Sequence, residues 1–147
     1  MRSSRGVFIF RKMIYKSVAM GYSRSMTSWQ LYLDDIRNPE QTYTNEVREL
    51  RPREWTVARS SEEAIKLVKE RGIPVRLSLD HDLGMCSNGK GGITTDTVMT
   101  FLKWLANEYW DGIQDVPWYA IHSSNPVGAK NIQAFMDSWA KSIEMKA

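Results

Sequence analysis

The sequence predicts an α/β domain: an open parallel sheet of about four strands, with helices on both faces and no clear fifth strand. Three observations point there. Short apolar runs alternate with amphipathic, capped segments along the chain, the pattern of strands joined by helical crossovers. Three of those runs stop abruptly in acids, a histidine or hydroxyls: Leu31-Tyr32-Leu33 before Asp34-Asp35, Leu77-Ser78-Leu79 before Asp80-His81-Asp82, and Trp118-Tyr119-Ala120-Ile121 before His122-Ser123-Ser124. Finally, 147 residues with 42% hydrophobic and 25% charged content are enough for one domain with a real core.

The first strand is Trp29–Leu33, rich in aromatic and aliphatic residues, and Asn38-Pro39 marks the turn after it. Residues 40–53 are polar, with a short helix expected around Asn45–Leu50. Trp55–Ala58 is the second strand. Ser60 and Glu63 form a capping box that opens a helix. Ala64, Ile65 and Val68 are its apolar face, and Gly72 stops it.

Val75–Leu79 is the central strand, and Arg76 and Ser78 make one of its faces less apolar. Residues 84–93 contain four glycines and read as a mobile loop, placed to serve as a lid. They match neither the P-loop nor the dinucleotide fingerprint. Thr95 or Asp96 caps the next helix, whose buried stripe is Val98, Phe101, Leu102, Leu105 and Tyr109. Trp118–Ile121 is the last strand. Asn125-Pro126 then starts the last helix with a good N-cap and a proline at the first helical position. Ile132, Phe135, Met136, Trp139 and Ile143 carry its stripe.

Residues 1–28 read as a basic extension outside the core, and residues 29–147 as the domain. The net charge of +3 belongs to that front end. Residues 1–25 hold six basic residues and no acid, leaving 14 basic against 17 acidic residues in the remainder. The core domain is therefore not expected to bind duplex DNA. The front end has the composition of an organelle transit peptide or a basic arm. Translation starting at Met26 is the plainer alternative. No run approaches the ~18 apolar residues of a membrane span. A single cysteine, Cys86, allows no internal disulfide and points to a reducing, cytoplasmic setting.

If the three polar-ended runs are neighbouring parallel strands, their ends meet on one rim, where open α/β sheets bind ligands. Asp34, Asp35 and Asp80, with Asp82, are the candidate metal ligands, an oxygen-rich set suited to Mg²⁺. The competing structural reading is that these acids cap turns and pair with Arg37 or Arg59. The only two histidines, His81 and His122, both lie at strand ends. With Asp80 they are the candidate catalytic residues, an imidazole pair able to move protons on a phosphate ester. Ser123, Ser124 and Asn125 at the helix start, and Arg37, are candidate contacts for its anionic group.

The stretches LDDIRNP, LSLDHDLG and HSSNPVGAKNI resemble, in this order, the family of cyclic-phosphate processing receiver domains, over about residues 29–140. The resemblance implies a flavodoxin-like receiver fold. It implies Asp34 and Asp35 as a metal pair, Asp80 as the acceptor-like acid, and Ser123 or Ser124 as the hydroxyl. His81, Asp82, His122, Asn125 and Pro126 match the family's own additions. The receiver's lysine after a fifth strand has no counterpart here. The expected activity is binding, and opening or hydrolysis, of a cyclic phosphate on a small molecule, a nucleotide or an RNA end. The alternatives are a non-catalytic pseudo-receiver that binds a ligand or partner, and a plain phospho-accepting receiver.

Overall fold

A computed structural model describes residues 10–12, 29–42, 55–87 and 91–146. The helix expected around Asn45–Leu50 lies outside the described residues. The strands are β1 (Phe10–Lys12), β2 (Gln30–Leu33), β3 (Trp55–Ala58), β4 (Arg76–Leu79), β5 (Asp82–Ser87), β6 (Ile93–Thr97) and β7 (Trp118–Ile121). The helices are α1 (Pro39–Thr42), α2 (Ser61–Arg71), α3 (Val98–Trp104), which continues into a π-helical turn at Leu105–Tyr109, and α4 (Pro126–Lys146).

The main sheet has the order β1-β7-β4-β2-β3. Its four expected strands, β3, β2, β4 and β7, are parallel to one another. Three residues of the basic front end, forming β1, add an antiparallel edge strand beside β7.

Register decides which side chains share a face. Leu31, Leu77 and Tyr119 are paired across the sheet, and so are Leu33, Leu79 and Ile121. These residues belong to the main core, together with Ala64 and Val68 of α2, Phe101 and Leu102 of α3, Leu105 of the π turn, and Ile132, Met136 and Trp139 of α4. The long helices thus cover one face. The residues between, Tyr32 and Ser78, point to the other face because side chains alternate along a strand. There Tyr32 packs with Trp55 in a smaller cluster, and its hydroxyl bonds Thr42 Oγ1 of α1 at 2.6 Å.

The local signals work largely as expected. Ser60 Oγ accepts from Glu63 N, but the Glu63 carboxylate accepts from Arg59 N instead of closing the box on Ser60. Gly72 ends α2 at φ 89°, a left-handed conformation that glycine alone adopts without strain.

Two expectations are corrected. The glycine-rich segment is not simply a loop: β5 and β6 pair as an antiparallel hairpin with an irregularity between Asp82 and Met85. Thr97, not Thr95 or Asp96, occupies the N-cap position of α3, without a side-chain cap bond. Asp96 is buried because its carboxylate accepts from Ser61 N and so serves the start of α2. Asp96→Ala should therefore lower unfolding free energy by about 1–2 kcal/mol in urea titration. Exposed Thr95→Ala should leave it within about 0.5 kcal/mol.

Candidate functional site

The register that orders the core also builds the site. The residues following the paired Leu33, Leu79 and Ile121 are Asp34, Asp80 and His122, and they leave the sheet abreast. Asp80 N donates to Leu33 O at 3.0 Å, His122 N to Leu79 O at 2.9 Å, and Asp34 N to Ala58 O at 3.1 Å. The polar ends of the three strands therefore meet at one rim.

Carboxylate oxygens of Asp34, Asp35 and Asp80 lie within 4.8 Å of one another. Asp34 and Asp80 are buried and Asp35 is partly exposed. Gly84, at φ 83°, brings the hairpin backbone against Asp35: a Cβ there would stand 3.4 Å from Asp35 Oδ2. Burial would raise the Asp34 carboxyl, yet its pKa is lowered. A hydrogen bond from His122, the Arg37 and Ile36 amides and the proximity of the imidazole outweigh desolvation. Asp80 goes the other way, raised to about 7, first by burial and then by Asp34, with Asp35 and Asp82 adding to it against Arg37.

This is negative charge gathered in a confined place, with Arg37 beside it to offset part of it. Three hard oxygen donors in that state fit a divalent cation such as Mg²⁺, which takes one or two carboxylates and keeps several waters.

His122 lies behind the acids rather than before them. Its ring is wholly buried and stacks on Tyr32 at 4.5 Å between centroids. Nε2 meets Asp34 Oδ2 at 3.0 Å and Nδ1 meets Ser78 Oγ at 2.8 Å. Both nitrogens are engaged: Nε2–H donates to the carboxylate and Nδ1 accepts from the serine. Burial lowers its pKa, and Arg37 adds to this, against the hydrogen bond and charge of Asp34. Of the expected pair of proton-moving histidines, His122 is the buried one, bonded to Asp34 and Ser78.

His81 is the accessible imidazole. Its Nδ1 lies 3.0 Å from Asp82 Oδ1, and Nε2 makes no hydrogen bond among the described residues. Asp82 Oδ2 accepts from Asn125 Nδ2 at 3.1 Å, and Asn125 Oδ1 accepts from Gly128 N at 3.0 Å, capping α4. Asp82 thus stands outside the three-carboxylate group, with its oxygens on His81 and Asn125.

The expected anion contacts divide. Ser123 is buried and its Oγ accepts from Asn125 N, which closes the turn, whereas Ser124 is exposed. Arg37 is buried, donates to His122 O at 2.8 Å and lies 3.8 Å from Asp34 Oδ2, so it ties two rim loops together. Arg59 supports it by donating to the Asp34 and Arg37 carbonyls. Ser78, Tyr32 and Gly128 escaped the sequence reading. Only Ser78, a hydroxyl within an apolar strand, left a sign there.

Residues 29–138 match the family model described as the cyclic-phosphate processing receiver domain. No curated protein and no solved structure matches the chain. Among the described residues no helix is long and apolar enough to cross a membrane.

The raised Asp80 pKa has a sign that can be checked. In the metal-free protein, between pH about 4 and 7, folded Asp80 keeps a proton that the unfolded chain has lost. Stability therefore falls as pH rises through that window, by up to a few kcal/mol. The lowered His122 pKa acts oppositely, so the difference between wild type and Asp80→Asn isolates the effect. Asp80→Asn should melt above the wild type at pH 8 and near it at pH 4. Mg²⁺ should raise the wild-type Tm more at pH 8 than at pH 5, since protons compete with the cation for the carboxylates.

Proposed function

The chain belongs to the family of cyclic-phosphate processing receiver domains, and from this and the rim geometry we propose that it binds a phosphate ester over Asp34, Asp35 and Asp80. It opens a cyclic phosphate on a nucleotide or an RNA end, with Mg²⁺ held by those three acids. The observation that carries the reading is the close carboxylate trio, followed directly in the chain by a histidine whose Nε2 is unengaged among the described residues.

The chemistry a divalent cation supplies in such a site is polarisation of a phosphoryl oxygen. The protein's part is positional and protonic. His122 and the Ile36 and Arg37 amides keep Asp34 ionised and fixed. His81 Nε2 takes one proton from the attacking water while the water oxygen bonds to phosphorus. The bond from phosphorus to one ring oxygen breaks, and the same imidazole returns the proton to that oxygen. A cyclic diester and water become a monoester, with no proton left over.

The test is incubation of the full chain with 2′,3′-cyclic AMP and MgCl₂, followed by ³¹P NMR. The expected result is conversion to a monoester, with kcat lowered about 10²-fold or more in His81→Ala. In Asp35→Asn a higher Mg²⁺ concentration should be needed for half-maximal rate. Thermal stabilisation by the nucleotide without product would instead favour a non-catalytic ligand-binding receiver. The absence of both product and stabilisation would refute phosphate-ester binding.

A further inference from the structure

Asn125 caps α4 and Gly128 stands in its first turn, and neither is among the three rim carboxylates. Gly128 is there without a side chain for a visible reason. A Cβ on it would lie 2.7 Å from His81 Cβ and 2.8 Å from His81 Nδ1, closer than real Cβ contacts. The His81 ring therefore rests directly on the helix backbone, which is why its side chain is only 13% exposed at an open rim. Asn125 works in two directions. Its Oδ1 accepts from Gly128 N and its Nδ2 donates to Asp82 Oδ2, whose other oxygen meets His81 Nδ1. The His81 carbonyl is held as well, accepting from Val98 N at the start of α3.

From this we infer that Asn125 and Gly128 are positioning residues for His81, seating its ring and fixing its tautomer so that Nε2 carries the lone pair. The physical reason is the facing oxygen. A neutral imidazole with its proton on Nε2 would turn the Nδ1 lone pair towards a carboxylate oxygen 3.0 Å away, two acceptors without a proton between them. The proton therefore sits on Nδ1. Asn125 selects that arrangement by holding Asp82 in place, and Gly128 by leaving the ring room to reach it. The two histidines then carry opposite tautomers, Nδ1–H in His81 and Nε2–H in His122. The catalytic meaning of the inference rests on His81 being the base; the tautomer itself does not.

With only two histidines in the chain, the experiment is direct. The full-length protein is labelled with ¹⁵N-histidine, and long-range ¹H–¹⁵N spectra are recorded with both rings neutral. Signals are assigned with His81→Gln. The wild type should show one imidazole of each tautomer, with Nδ1–H on His81. Asn125→Ser keeps an oxygen to cap α4 but lacks the amide that holds Asp82. In it, and in Gly128→Ala, His81 should shift to a mixture of tautomers. With 2′,3′-cyclic AMP, kcat should fall about 10- to 100-fold in both variants, with KM little changed.

An Nε2–H tautomer on His81 in the wild type would overturn the inference. So would a wild-type spectrum and an unchanged kcat in Asn125→Ser, the variant in which the helix cap is retained. If the wild type does not turn over the nucleotide, the catalytic reading fails by itself. The tautomer spectra then decide the positioning alone.

Discussion

Asp34 is a buried carboxylate that must remain charged, and much of the molecule is arranged to let it. An ionised group away from water is costly unless hydrogen bonds replace what hydration supplied. Here two backbone amides from the turn after β2 and the His122 imidazole do so. His122 in turn needs Ser78 on its other nitrogen and Tyr32 on its face. Those two side chains lie on the face turned away from the long helices. The smaller face of the sheet is thus a support for one carboxylate, while the larger face carries the main core.

Two carboxylates at the same rim have been given opposite characters by their surroundings. Asp34 is held by donors and stays ionised. Asp80 has Arg37 nearby but three acids around it, and its pKa climbs to about 7. Such a pair is not at rest without a counter-charge. The hydrogen bonds to its own turn make Asp34 a turn cap as well as a member of the carboxylate trio.

The strands and their polar ends were legible because apolar runs stopping in acids and histidines leave a clear mark in one dimension. The start of α4 was legible for the same reason, as Asn125-Pro126 is a local signal with a local cause. The division of labour between the two histidines was not. His81 and His122 look alike as residues after a strand, and only register reveals that one lies under the acids and the other beside them. Gly128 was invisible as a functional position, because the demand for a missing Cβ comes from a residue 47 positions away. The hairpin is not legible because the four glycines of residues 84–93 mask the pairing of Cys86 and Ser87 with Thr94 and Ile93. Sequence places Thr95 or Asp96 at the start of α3, because Ser61, the partner of Asp96, is distant in the chain.

The pairing of Leu33 with Leu79 and Ile121 has a consequence for how the gene encoding this domain can vary. A single codon inserted within β2 would bring Leu33 where Asp34 stands and turn every later side chain of that strand over, exchanging oil for charge on both faces at once. The same codon added among the exposed residues Asp111–Asp115, ahead of β7, would only lengthen a solvated connection. Change in chain length is therefore permitted between the strands and forbidden inside them.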